Sequence, residues 1–441
     1  MAEKPSVKPS GKNLRIEPHP MRSNGLAARR LAFAAIFVFA AVEPEAAWAD
    51  EQLGLNEAVA IALGANDPTV ERYEERAAAL EDRAVSDSQL PDPQLRVGLT
   101  NFPVDTFDFE QEPMTQVQVG LRQSFPRGRT LSKTRARREA EAAGERAAGR
   151  LQELQIALDT RSTWLELYYW LGARHTVAES RAAVAELVDI VKTAYATGVQ
   201  SNQDLLRAEL ELSLLDDRAV EVERRIEVST AELARLVGLN AASRTLPATF
   251  PMLPSPPARQ VIEGGLVAHP TVGIDDARIE VSDRDIDIAR QAYQPGWSLD
   301  IGYGGRGGDR ADFASAMIVL DIPLFTNDRQ DRRVSAARRD RAAAQLDRSA
   351  KLLELKRVLD RTHADWLRLG ERVELFERVV LDRATANAEA ALNGYQNRVA
   401  DFAELIRSRL TALDTELQLR RLKVDLAKAQ SRLLFLGKEA L

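Results

Sequence analysis

The residues that could do chemistry are few, and their spacing does not suit catalysis. Among 441 residues there is no cysteine, which excludes disulfides, thiolate zinc sites and a lipidated N-terminal cysteine. Beyond residue 50 the histidines are His175, His269 and His363, far apart and readable as structural residues rather than ligands. No cluster of nucleophile, acid and base types stands out, so no enzyme, cofactor or metal is expected. Charge at helical spacing is what recurs. Asp204 and Arg207 stand three residues apart, and Glu404 and Arg407 repeat them; as solvated helix pairs each contributes roughly a few tenths of a kcal/mol. Two basic runs, Arg127 to Arg138 (RGRTLSKTRARR) and Arg329 to Arg341 (RQDRRVSAARRDR), could suggest nucleic acid. The overall balance argues against it: without residues 1–49, which hold seven basic and four acidic residues, the net charge is near −9.

The elements that carry these residues occur twice. Asp67-Pro68-Thr69-Val70 returns as His269-Pro270-Thr271-Val272, and Trp164-Leu165-Glu166-Leu167 returns as Trp366-Leu367-Arg368-Leu369. Tyr195, Val199, Leu205, Arg207 and Leu210 return as Tyr395, Val399, Leu405, Arg407 and Leu410. A repeat of this length is too long for a solenoid unit. It divides the chain into copies at 50–256 and 257–441, each expected to form helix, two strands, long helix and helix. Helical patterning covers 55–89, 128–197 and 202–238, then 258–293, 327–397 and 402–437. In each copy the two short helices together match the long one, which suggests two short helices stacked end to end beside it. Apolar residues at spacings of three and four, as in Leu151, Leu154, Leu158 and Leu165, predict coiled-coil-like seams along these helices.

Period-two alternation marks the strands: 95–100, 116–125, 297–304 and 315–324. Ten alternating residues with Phe125, Trp297 and Tyr303 towards the ends fit a tilted membrane strand with aromatics at the interfaces. A soluble hairpin with one face packed on helices fits length and alternation equally. Export favours the membrane. Arg29 and Arg30 precede the apolar stretch Leu31 to Val42, and Ala47-Trp48-Ala49 offers a cleavage site, so residues 1–49 read as a signal peptide with a possible true start at Met21. An uncleaved anchor is the alternative, although twelve apolar residues fall short of the roughly 20 that span a bilayer. Four strands cannot close a barrel, and open edges in lipid are prohibitively costly. Membrane insertion therefore requires oligomers, and a trimer would supply twelve strands.

This organisation resembles the TolC family of outer-membrane channel proteins over residues 53–437. The resemblance rests on Leu55-Asn56-Glu57-Ala58, Asn66-Asp67-Pro68, Ile322-Pro323-Leu324-Phe325, and Tyr195-Ala196-Thr197-Gly198 before Asp204-Leu205-Leu206-Arg207-Ala208. It implies a mainly α fold with a membrane β-barrel portion: a homotrimer whose twelve-stranded barrel in the outer membrane of a Gram-negative bacterium continues into a long α-barrel across the periplasm. It further implies a passive conduit docked through a periplasmic adaptor to an inner-membrane efflux pump. The segment Gln123 to Arg129 is similar to the branch serving heavy-metal and cation efflux. The turns Gly198-Val199-Gln200-Ser201 and Arg398-Val399-Ala400-Asp401 would be the tips that meet the adaptor and form the closing iris. As plain helix turns they read as Gly198 capping a C-terminus and Asp401 an N-terminus. Asp204, Arg207, Glu404 and Arg407 would line the aperture, where acid–arginine pairs could cross-link neighbouring helices. The basic runs would lie just below the barrel, at phospholipid headgroups or lining the upper tube, each headgroup contact contributing about 1 kcal/mol. A periplasmic coiled-coil scaffold or adaptor, and a type I protein-secretion conduit, remain the alternatives.

Overall fold

The computed structural model describes residues 52–439, so the export-signal reading of residues 1–49 lies outside it. The first copy holds α1 (Leu55–Gly64), α2 (Pro68–Ser86), β1 (Gln94–Thr100), β2 (Gln116–Phe125), α3 (Thr130–Ala196), α4 (Asn202–Val237) and the short α5 (Leu239–Ala242). The second holds α6 (Arg259–Gly265), α7 (Pro270–Gln291), β3 (Gly296–Arg306), β4 (Phe313–Asp321), α8 (Gln330–Leu375), α9 (Leu381–Gln396) and α10 (Phe402–Leu436).

Two helices expected to be continuous are each broken. A proline inside a helix loses a backbone bond and clashes with the preceding turn, but it suits the first helical position. Pro68 and Pro270 therefore open new helices. Asp67 caps the first, accepting from the Thr69 N–H at 2.7 Å. His269 caps the second: its Nδ1 accepts from the Thr271 N–H at 3.3 Å, and its Nε2 lies 3.2 Å from the Phe435 carbonyl. Burial pushes His269 below the usual histidine range. The ring is thus neutral, with Nε2–H donating to Phe435.

The second long helix is continuous from α8 into α9 through a π turn at Phe376–Val380. The offset between copies falls from 202 at Trp164/Trp366 to 200 at Tyr195/Tyr395, and the π turn lies in that interval. A two-residue deletion alone would rotate the downstream face by about 200°. The extra residue absorbed in the π turn makes this nearly a full turn, so the apolar face realigns.

Packing explains why the long helices need neighbours. At 67 residues, α3 extends about 100 Å. Its first half packs between α2 and α7, and its second half between α4 and α10. α8 runs along α7 and then, with α9, along α10. In α4 the buried positions Ala208, Leu215, Val222, Ser229 and Leu236 follow a seven-residue step, the period of a supercoiled seam. The same step recurs in α10 at Ser408, Thr415, Leu422, Ala429 and Leu436. One apolar cluster lies along the second half of α3, where Val177, Val184, Leu187 and Val191 meet Leu215 and Val222 of α4 and Leu405, Leu413 and Leu417 of α10, and another surrounds Trp164 and Leu165 near its middle.

The strands form one antiparallel sheet in the order β1-β2-β3-β4. Their register places Leu95 and Val97 opposite Leu121 and Val119, these opposite Ile301 and Tyr303, and these in turn opposite Ala316 and Ala314. β4 ends at Asp321 rather than at the expected Leu324, because Pro323 has no N–H to continue the ladder.

Candidate functional site

Both hairpin tips are closed by the same backbone device. At the first, the Val199 N–H donates to the Ala194 carbonyl at 2.8 Å and the Gly198 N–H to that of Tyr195 at 2.9 Å. At the second, Val399 donates to Gly394 at 2.8 Å and Arg398 to Tyr395 at 3.0 Å. This pattern places the fifth residue in the left-handed region. That residue is Gly198 at φ +72° in one tip and Arg398 at φ +59° in the other. Glycine adopts this conformation freely, whereas for arginine it costs about 1 kcal/mol. The chain then re-enters a helix under a side-chain cap: Ser201 accepts from the Asp204 N–H at 3.2 Å, and Asp401 from the Glu404 N–H at 2.7 Å. Gln200 donates to the Tyr395 hydroxyl at 3.2 Å, which ties the two tips together. Val199 and Val399 stay 64% and 85% exposed, with Ala400 between the second valine and its cap.

The four aperture candidates are not equivalent. Glu404 and Arg407 pair at 2.7 Å on the surface of their own helix. Asp204 instead accepts the Ser201 hydroxyl at 2.6 Å, and among the described residues it makes no ion pair with Arg207. Within one chain neither pair crosses to a neighbouring helix.

A stronger charge site sits higher on α3. Glu166 accepts from Arg421 at 2.8 and 2.9 Å, from the Trp170 indole N–H at 2.9 Å, and from Lys428. Burial alone would raise the Glu166 carboxyl, but Lys428 and Arg421 outweigh it and hold the group below the usual carboxylate range. Trp164, fully buried beside it, donates its indole N–H to the Leu53 carbonyl at 2.9 Å. This network went unnoticed in the sequence, although the change from Glu166 to Arg368 between otherwise matching WLEL and WLRL motifs was a usable signal.

On the sheet, one face is apolar across all four strands. Leu95, Val97, Val119, Leu121, Ile301 and Ile318 are each about half or more exposed. Phe125 and Trp297 face each other in register and stack at 4.0 Å, at the end where α3 begins. Tyr303 lies six residues further along β3, about 20 Å away, and its hydroxyl is held by Asp312. The other face carries Arg96, Arg122 and Asp300. Arg96 reaches Asp300 at 2.9 Å across the intervening Gly120, and Arg122 reaches it at 2.8 Å. Because Gly120 has no side chain, the guanidinium can cross β2.

The first basic run is mostly engaged with protein carboxylates, and in the second Arg341 is. Lys133 pairs with Asp287 at 2.8 Å, Arg137 with Asp285 at 2.8 Å, Arg138 with Asp87 at 2.9 Å and Arg341 with Asp283 at 2.5 Å. An acidic row on α7 thus receives Lys133 and Arg137 of α3 and Arg341 of α8, and fastens both helices to it.

No protein-family model and no curated protein matches the chain. Solved structures do. The outer membrane protein VceC from Vibrio cholerae superposes with a TM-score of 0.72 at 18% identity, covering 88% of this chain and 97% of that one. The MtrE outer membrane channel of Neisseria gonorrhoeae gives 0.69 at 14%, covering 88% and 90%. The CmeC outer membrane channel of Campylobacter jejuni gives 0.68 at 14%, covering 87% and 85%. Such low identities speak to architecture: the chain has the TolC-like fold, long paired helices joined to a four-stranded sheet.

Proposed function

We propose that three copies of this chain form a passive outer-membrane channel, the outermost part of an efflux system in which a periplasmic adaptor and an inner-membrane pump, of the resistance-nodulation-division type, deliver the substrate. The observation that carries this reading is the sheet. It has four strands, two unpaired edges and a continuous apolar face, which is not a stable arrangement in water or in lipid unless copies close it. Twelve strands would remove every edge, with the apolar face in lipid and the Arg96–Asp300–Arg122 face towards the lumen. The Phe125–Trp297 stack and Tyr303 would mark the two interfacial levels. The fold shared with outer membrane channels supports the same reading.

The hairpin tips are the surface we assign to the adaptor, because Val199 and Val399 present largely exposed apolar side chains to solvent there. Heavy-metal or cation efflux is supported by the segment Gln123 to Arg129 alone. The lipid-headgroup role is confined to basic residues of the two runs that the α7 carboxylates do not hold.

Membrane fractionation of cells expressing the full chain tests the proposal. The protein is expected to sediment with outer membrane and to migrate as a trimer until heated. Recovery as a soluble periplasmic species would instead support the coiled-coil scaffold and overturn the channel.

A further inference from the structure

At the level of Glu166, three helix contacts within the chain carry ion pairs of alternating sense. Arg174 of α3 meets Glu223 of α4 at 3.9 Å. Glu166 of α3 meets Arg421 of α10 at 2.8 Å. Lys423 of α10 meets Glu377, in the π turn between α8 and α9, at 2.6 Å. At this level α10 offers base to α3 and to the π turn, and α4 offers acid to α3; about one turn away, Arg218 of α4 reaches Asp414 of α10 at 2.8 Å. The two short helices are copies at a constant offset of 200, as their buried seven-residue steps show. Glu221 and Glu223 are the copies of Arg421 and Lys423, and Arg368 is the copy of Glu166. Each of these charges is reversed.

Among the described residues, two of the reversed charges have no partner on another helix. Arg368 bonds to Glu371, and Glu221 to Arg224 and Arg225, all on their own helices and all well exposed. The apolar copies behave in parallel. Leu165 is fully buried while its copy Leu367 is 46% exposed, and Ile406 is 2% exposed while its copy Leu206 is 57% exposed. The face of α10 that packs on α3 thus has a counterpart on α4, and the face of α3 has one on α8, both uncovered.

We infer that the second copy of this chain covers them: α8 lies along α4 of the partner subunit as α3 lies along α10, with Arg368 paired to Glu221 of the partner subunit. The inference rests on the proposed channel and specifies how its subunits meet. It also accounts for the reversal. If both long helices carried Glu here and both short helices Arg, either long helix would accept either short one. With the reversal, the Glu166 face of α3 would meet Glu221 if it took α4 of another subunit in place of α10, and the Arg368 face of α8 would meet Arg421 if it took α10 of another subunit in place of α4, so each of these exchanges places like charges together. Wrong neighbours are repelled, and the ring closes head to tail with the two copies alternating.

The absence of cysteine makes the test clean. Glu221→Cys and Arg368→Cys are introduced together into the full chain, purified from outer membrane in detergent and treated with a short bis-maleimide. Covalent dimers and trimers are expected on a denaturing gel, and neither single variant should give them. Glu166→Cys with Arg421→Cys serves as control and should give an internal cross-link of monomer size. As a second arm, Arg368→Glu should lower the temperature at which the trimer dissociates, and adding Glu221→Arg should restore it. A trimer by light scattering whose double-cysteine form stays monomeric under denaturing conditions, or a charge swap that fails to restore, would overturn the inference and leave the channel standing. A chain that never trimerises removes both.

Discussion

The two hairpin tips share a backbone and differ in what surrounds it. In the second, Phe402 is 1% exposed, packs edge-on to Tyr395 at 5.9 Å, and begins a helix lodged between α3 and α9. In the first, the matching residues are the 44%-exposed Tyr195 near the end of α3 and the exposed Asn202, which opens a helix packed mainly on α3. The duplication thus yielded one hairpin anchored inside the chain and one anchored on a single side. Equal geometry at the turns shows that the turn chemistry is local. The difference arises from packing, and packing is where substitutions should separate the two copies most.

The largest separation should come from truncating the first helical residue after each tip. Phe402→Ala removes a buried ring from the lower core and should cost about 3–5 kcal/mol. Asn202→Ala removes an exposed side chain and should shift stability by no more than about 0.5 kcal/mol. Urea unfolding of the purified protein measures both. Similar losses at the two positions would mean that hairpin one is as embedded as hairpin two.

Next in size is the charge network. Glu166→Gln leaves Arg421 and Lys428 facing a neutral amide. Because the Glu166 side chain retains 24% of its exposure, the expected cost is about 1–3 kcal/mol, below that of breaking a fully buried pair. Its carboxyl lies below the unfolded value. The unfolded chain therefore binds more protons, and this stability is complete above pH ~4.3 and lost as pH falls through the folded value. A melting curve repeated from pH 7 to pH 3 should steepen in the native protein and flatten in Glu166→Gln. An unchanged pH slope would remove the network from the account.

The division between what the sequence revealed and what it hid follows the same line. Periodicity located all four strands and all the long helices, because alternation and heptad steps are set by the burial of each residue's own side chain. The breaks at Pro68 and Pro270 were visible as prolines but were read through, since the capping roles of Asp67 and His269 depend on backbone geometry. Gly198 and Asp401 were legible as caps because their types suit those turns. Arg398 in a left-handed conformation was not, as nothing in arginine advertises it. The basic runs looked free until α7 supplied Asp285 and Asp287 to the first from about 150 residues away and Asp283 to Arg341 of the second from 58. Glu166 looked like any surface glutamate of an amphipathic helix, and only its partner helix makes it a site.

A smaller effect tests whether turn chemistry is indeed local. Arg398→Gly relieves left-handed strain but frees the unfolded chain, so the net gain should stay under about 1 kcal/mol. Gly198→Ala should cost about 1 kcal/mol through the same conformation. The open space around Gly198, with no atom within 4 Å of an added Cβ, ensures that the loss reports backbone strain and not a clash. If the two changes fail to move thermal stability in opposite directions, the tips are not closed by the same device.

The smallest stability effect belongs to Arg407→Ala, and its smallness is what makes it informative. The Glu404–Arg407 pair is exposed and intrahelical, so its loss should change stability by only about 0.2–0.5 kcal/mol. A latch between subunits would behave differently: removing it would open the resting channel while leaving the melting temperature nearly fixed. The sharper comparison sets Arg407→Ala beside Arg207→Ala, because Asp204 is already satisfied by Ser201 and its arginine is left available to another subunit. Single-channel recordings in a planar bilayer are expected to show larger open conductance for Arg207→Ala than for Arg407→Ala. Equal, native-like closed channels in both would mean that neither pair holds the aperture and that each is an ordinary solvated helix contact.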